Sequence, residues 1–167
     1  MTEIETHLKE NNLIRAIAIT VSDSRGINDD ISGDVLVECL TDIGAEIVER
    51  IIVTDDREKL IETLTRGAKN ANLIITTGGT GFAPRDNTPE ATRQVIEKEA
   101  PGLAEAMRQK TLEKTPMAML SRGICGIRGK CLIINLPGSP KAVRECFEVI
   151  KPVLTHAINL IAGVTKH

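Results

Sequence analysis

A chain of 167 residues with 21 basic and 23 acidic side chains has no basic excess from which to build a nucleic-acid footprint, and two Phe with no Trp or Tyr leave little for bases to stack on. Four cysteines without Cys-x-x-Cys spacing and three dispersed histidines argue against a zinc site. Residues 1–12 form a polar arm without an apolar signal core, and no apolar run approaches membrane-span length, so the expectation is one cytoplasmic domain over residues 13–167.

The first apolar run, Leu13 to Val21, is nearly continuous, as expected of a buried parallel strand. Ser32 is placed to cap a helix bearing Val35, Leu36, Cys39, Leu40 and Ile43, closed by Gly44. A second strand covers Ala45 to Val53. Asp55, with Glu58 three residues on, resembles a capping pair and starts a helix carrying Leu60, Ile61 and Leu64. The third strand, Leu73 to Thr77, runs into Gly78, Gly79 and Gly81. Thr88, Pro89 and Glu90 then supply an N-cap, a proline at the first helical position and an acid in the first turn, which predicts a helix to Glu99.

Ala100 to Gly102 breaks the chain before a further helix to Glu113. Met117, Met119 and Leu120 read as core fillers, and Cys39, Cys131 and Cys146 as small reduced hydrophobes. Ile124 to Arg128 and Lys130 to Asn135 flank Gly129 as a hairpin. Leu136 to Pro140 repeats the strand–turn–helix pattern with Ser139 as cap, and two helices, Lys141 to Ile150 and Pro152 to Ile161, finish the chain. Alternation of strand and helix over the first hundred residues predicts a parallel sheet covered on both faces. Ligands bind such sheets outside the carboxyl ends of the strands, so the glycine loop and the Gly138-Ser139 loop are expected to open on one crevice.

Glycine permits positive φ and lets a ligand approach the backbone. Successive N–H groups in such a loop form a concave anion-binding nest, so the backbone from Gly78 through Gly79 and Thr80 to Gly81 reads as a site for a phosphate-type ligand. The P-loop pattern is absent, the dinucleotide fingerprint fails because Pro84 stands at its third glycine, and no histidine lies near the loops to act as a hydrolase base. What remains at the crevice is carboxylates, hydroxyls and a few cations: Ser22, Asp23, Ser24, Arg25, Asp30, Asp55, Arg85, Asp86 and Ser139. Paired aspartates without His or Cys suit a hard cation such as Mg²⁺. Asp30 and Asp55 also fit as acids that merely favour helix starts. Asp86 has Thr88 nearby to do the capping, which leaves its carboxylate for the site.

Thr76 to Thr92, Ser22 to Ser24, Asp30 with Ser32 and Gly33, Thr54 to Asp56, Leu120 to Arg122 and Asn135 to Pro140 fall in the order seen in the MogA/MoaB family of molybdenum cofactor biosynthesis proteins. The resemblance runs from residue 12 to the C-terminus, and the short amino-terminal arm looks more like MoaB. It implies an α/β fold of three layers, α/β/α, around a mostly parallel mixed sheet of order 2-1-3-5-4 with one antiparallel edge strand. It implies binding of molybdopterin and its adenylylation with Mg-ATP, releasing pyrophosphate, in a homotrimer or homohexamer. The carboxylates important in active members match Asp55 and Asp86, as catalytic groups and Mg²⁺ ligands. Ser22, Asp23, Asp30, Gly78, Gly79, Thr80, Gly81, Arg85, Ser121, Gly138 and Ser139 would bind the pterin and the nucleotide. Ala83 stands where Ser is frequent and Asn87 where Val is frequent, and neither change removes a charged group. A terminal phosphate is already an anion and needs no base to attack, which agrees with a site without His. A non-catalytic molybdopterin carrier would keep the same cleft without turnover.

Overall fold

Along the first strand, β1 (Arg15–Val21), Ala16 and Ala18 face one side of the sheet while Ile17, Ile19 and Val21 face the other, so both sides need a cover. In the computed structural model, which describes residues 13–164, that cover is two layers of helices. The arm expected at residues 1–12 lies outside the described residues. The elements follow as α1 (Ile31–Asp42), β2 (Glu46–Val53), α2 (Arg57–Gly67), β3 (Leu73–Thr77), α3 (Thr88–Val95), β4 (Lys98–Glu99), α4 (Pro101–Leu112), a 3₁₀ turn (Pro116–Leu120), β5 (Cys125–Arg128), β6 (Cys131–Leu136) and α5 (Pro140–Ile161).

Leu36 and Leu40 of α1, Met107 of α4 and Phe147, Ile150 and Leu154 of α5 pack with Ala16, Ala18, Leu73, Ile75 and Ile134 on one face. Leu60 and Leu64 of α2 and Ala91 and Val95 of α3 pack with Ile17, Ile19, Ile74 and Ile133 on the other. The three expected layers are present. Among the described residues no helix is long and apolar enough to cross a membrane.

The sheet has six strands in the order β2-β1-β3-β6-β5-β4. β2, β1, β3 and β6 run parallel, and β5 and β4 each pair antiparallel with the neighbour before them. The expected order 2-1-3-5-4 corresponds to β2-β1-β3-β6-β5; the structure adds β4 outside it. The reason lies in the helix expected to reach Glu99, which stops at Val95. Ile96 turns extended and packs where Gly126 lacks a side chain: a Cβ there would stand 2.5 Å from Ile96 Cδ1. Glu97 and Ala100 then donate their N–H groups to Ile127 and Cys125 of β5, each at 2.8 Å. Ladder bonds to an open edge replace the last helical turn.

The two helices expected after Ser139 are one. Val143, Phe147, Ile150, Leu154 and Ile158 form an unbroken buried stripe through α5, and Pro152 lies on its exposed side. Burial of that stripe outweighs the hydrogen bond a proline cannot donate. Ser139 caps α5 as expected, accepting from Ala142 N at 3.1 Å. Three other caps are displaced by one or two residues. Asp30, not Ser32, accepts from Gly33 N, and Asp56, not Asp55, accepts from Lys59 N. Asn87 precedes α3 without a side-chain cap, and the Thr88 hydroxyl donates instead to Gly78 O at 2.9 Å.

Candidate functional site

Beyond the carboxyl ends of β3 and β6 lies a cleft of about 500 Å³. The glycine loop and the Gly138-Ser139 loop both open on it, as the strand–turn–helix pattern implies. Two bonds lock these loops together, Gly78 N donating to Leu136 O at 3.2 Å and Thr77 Oγ1 to Pro137 O at 2.7 Å, and Ser32 Oγ of α1 donates to Gly138 O at 2.6 Å. Gly78 and Gly79 have φ of 100° and 68°. A Cβ at Gly78 would stand 2.5 Å from Val21 O, and one at Gly79 would collide with Thr88 Oγ1 and reach within 3.4 Å of Asp55 Oδ1. These two glycines are therefore required by the fit of the loop against its own protein, beyond any ligand's approach.

Of the residues singled out from sequence, Gly79, Thr80, Gly81, Asp86, Ser121, Gly138 and Ser139 line the cleft. Asp55 is not among the lining residues but lies against Gly79, its Oδ1 3.4 Å from where a Cβ would stand. Asp23 and Arg85, also outside the lining, form a pair, with Arg85 Nε 2.5 Å from Asp23 Oδ2 and Nη2 3.0 Å from Oδ1. Asp23 Oδ1 also accepts the N–H of Asp55 at 3.0 Å, so one carboxylate joins the loops after β1, β2 and β3. Ser22 Oγ accepts from the N–H groups of Ser24 and Arg25 and shapes the first of those loops. Asp30 is fully buried and engaged inside the protein: it accepts from Thr20 Oγ1 at 2.7 Å, from Gly33 N and from Arg50 Nη2. It braces α1 against β1 and β2 and is not among the residues lining the cleft.

The Asp23 and Asp55 carboxyls are shifted in opposite directions. The Arg85 hydrogen bond, helped by the Asp55 N–H, holds Asp23 down at about 2. Burial, followed by the charges of Asp23 and Asp86, pushes Asp55 above its ordinary value of 3.8. Linkage gives the two opposite signs. The Asp23 contribution to stability is present above pH 3.8 and fades as pH falls towards about 2. Asp55 favours the fold most when protonated, and that contribution is lost as pH rises through its raised midpoint. Asp23→Asn is expected to lower the Asp55 midpoint, since Asn still accepts the Asp55 N–H but removes one of its two anionic neighbours. Carboxyl ¹³C NMR of the ligand-free protein checks this; an unmoved Asp55 titration contradicts the coupling.

The far wall of the cleft was not legible as a site. It comes from Met107, Arg108 and Thr111 of α4, Met117 and Leu120 of the 3₁₀ turn, and Glu145 and Cys146 of α5. Met117 and Met119, read as core fillers, are 63% and 66% exposed. Pro116 opens a turn with no buried residue, and a Met-rich pentapeptide without helical or strand period was the available signal. Cys146 is buried as expected, and burial pushes its thiol up to about 11.

The family profile described as "Probable molybdopterin binding domain" matches residues 17–156. The molybdopterin adenylyltransferase of Helicobacter pylori strain 26695 is 44% identical over 144 residues, covering 84% of this chain and 82% of that protein. The molybdenum cofactor synthesis protein cinnamon of Drosophila melanogaster is 45% identical over 148 residues; the match covers 86% of this chain and 25% of the longer fly protein. Among solved structures, the molybdopterin biosynthesis enzyme MoaB of Thermus thermophilus superposes with a TM-score of 0.84 at 46% identity, covering 90% of this chain and 98% of that one. With the cleft formed where the glycine-loop signature predicts it, these matches establish that the chain belongs to the MogA/MoaB family of molybdopterin-binding domains.

Proposed function

We propose that the cleft binds molybdopterin and adenylylates it with ATP, releasing pyrophosphate. The observation that carries this reading is that Asp86, on the cleft wall, and Asp55 both lie against the glycine loop, Asp86 Oδ2 beside Gly81 and Asp55 Oδ1 beside Gly79. The name and the 82% coverage of the Helicobacter pylori relative support it.

The reaction suits the residues present. An oxygen of molybdopterin's terminal phosphate attacks the α-phosphorus of ATP; the new P–O bond forms as the bond to the β-phosphate oxygen breaks, and pyrophosphate leaves with that electron pair. The nucleophile carries no proton that must be removed, so a cleft without histidine suffices. Catalysis then rests on alignment and on neutralising charge. Gly79, Thr80 and Gly81 would offer their N–H groups to the phosphates, and Ser121 and Ser139 line the same space.

The donor set fits Mg²⁺. Burial first, then the charges of Asp23 and Asp86, raise the Asp55 carboxyl, and the nearby Arg85 is occupied by Asp23. Among the described residues no group of three or more His, Cys, Asp or Glu converges on one point. Mg²⁺ needs no such cage, since it takes one or two carboxylates and completes its shell with water and substrate phosphates. Asp55 and Asp86 would hold it, and its charge would screen the approaching phosphates. The homotrimer or homohexamer belongs to the same reading, held by aliphatic surface, since Phe147 is buried and Phe82 is the one exposed aromatic side chain among the described residues.

Pyrophosphate release from Mg-ATP in the presence of molybdopterin tests the proposal, with release dependent on both substrates expected. Molybdopterin binding without release would reduce the function to carriage.

A further inference from the structure

Arg122 makes more bonds to the candidate site than any sequence motif suggests. It lies between the 3₁₀ turn and β5, next to Ser121 on the cleft wall. Its own N–H donates to Thr80 O at 2.8 Å. Its guanidinium donates through Nε to Gly81 O at 2.8 Å, through Nη2 to Asp86 O at 2.9 Å, and through Nη1 to the Glu90 carboxylate. One planar group therefore gathers both ends of the Gly81–Asp86 segment, reaching them from beside Ser121.

Within that segment two bonds are local, and one side chain reaches out of it, Arg85 to Asp23 on the loop after β1. Phe82 to Arg85 are exposed, Asp86 N donates to Ala83 O, and Ala83 N donates to Asp86 Oδ2, each at 3.0 Å. Arg85 pins the exposed middle of the loop, and Arg122 holds the Gly81 and Asp86 carbonyls, so the aim of the Asp86 carboxylate depends on the bond to its own backbone. Glu90, in the first turn of α3, fixes the guanidinium in turn. Burial opposes its charge, but the Arg122 hydrogen bond, a backbone N–H and the charges of Arg122 and Arg57 together outweigh that and hold the carboxyl below its ordinary range. Its second oxygen is buried without a hydrogen-bond partner, a cost sustained only while the pair is intact.

We propose that Arg122 is the positioning residue that aims Asp86 into the cleft, with Glu90 orienting its guanidinium. The catalytic part of this inference rests on the adenylylation reading above; the structural part does not. Lysine cannot take its place, because an ammonium on a flexible stem does not present three donors in one plane.

The test is Arg122→Lys in the full chain, read in two ways. In the ligand-free protein, amide exchange at Ala83 and Asp86 is expected to quicken several-fold while Ile74 and Ile75 of β3 keep their protection. Unchanged exchange at Ala83 and Asp86 would overturn the clamp, whatever the reaction. In turnover, misplacing a catalytic group is expected to lower kcat about thirtyfold with KM for ATP within about threefold. In an Asp86→Asn background the same substitution should cost less than about threefold, since there is no charge left to aim. The full loss in both backgrounds would show Arg122 acting independently of Asp86 and overturn the positioning role. If the unmutated protein releases no pyrophosphate, the adenylylation reading fails and the positioning of a catalytic Asp86 fails with it, while the exchange data still decide the clamp. Should Arg122→Lys fail to fold, Glu90→Gln, which leaves the guanidinium in place but weakens its anchor, is read by the same two measurements.

Discussion

Asp86→Asn is expected to lower Mg-ATP-dependent adenylylation about a hundredfold, the loss of roughly 3 kcal/mol of transition-state stabilisation. The substitution isolates charge from shape. Asp86 Oδ2 accepts the Ala83 N–H, and the Asn oxygen keeps that bond, so the turn stays formed. Arg122 holds the Asp86 carbonyl, which the variant also retains. Neither does the loss arise indirectly through Asp55. The Asp86 charge helps raise the Asp55 carboxyl, so removing it leaves Asp55 more fully ionised. What disappears is one of two negative charges available to a cation at the phosphates. Molybdopterin affinity should change by less than about threefold, because binding an anion in a nest of N–H groups does not require a carboxylate. Asp55→Asn should behave alike, and the double variant should fall short of the product of the two, as the proposal that both hold one ion requires. Pyrophosphate release measured beside molybdopterin binding decides the matter: turnover unchanged in Asp86→Asn refutes its catalytic role.

The part of this site visible in the sequence is the part built from local backbone chemistry. Gly78, Gly79 and Gly81 following an apolar strand announce a loop with positive φ, and Ser139-Pro140 announces a second helix start at the same sheet edge; both are where they were expected. The buried strands were legible because residues covered on both faces leave continuous apolar runs. Cap assignments slipped by one or two residues, since Ser32, Asp55 and Thr88 each stand beside a residue able to occupy the same position, and tertiary contacts chose between them. The Thr88 hydroxyl had Gly78 O within reach, and Ser32 had Gly138 O. The edge strand β4 and the far wall of the cleft were hidden for a different reason. Lys98–Glu99 becomes a strand only because β5 offers carbonyls, and Met117 faces a cleft only because α4 and α5 set its other sides. Pro152 carried the opposite error. A local rule predicted a break, and a buried stripe spanning more than four helical turns overrode it.

Gly78→Ala is expected to destabilise the fold by about 3 kcal/mol, combining an unfavourable backbone conformation with a collision. At φ 100° a residue with a side chain lies outside even the left-handed helical basin. The new Cβ would stand 2.5 Å from Val21 O, a main-chain atom at the end of a central strand that cannot rotate away. Moving Gly78 instead would pull on two bonds at once, its N–H to Leu136 O and its carbonyl to the Thr88 hydroxyl. Those bonds join β3 to β6 and to α3, so the strain spreads through the floor of the cleft. Gly44→Ala provides the comparison: it has φ 78° with nothing within 4 Å of the new Cβ, so it carries backbone strain alone, about 1 kcal/mol. For a chain of this length the difference of about 2 kcal/mol corresponds to roughly 4–8 °C in the unfolding midpoint. Urea and thermal unfolding of the two variants beside the unmutated protein measure it. If Gly78→Ala proves no worse than Gly44→Ala, the loop yields to the side chain and cannot be the rigid floor on which Asp55 and Asp86 depend.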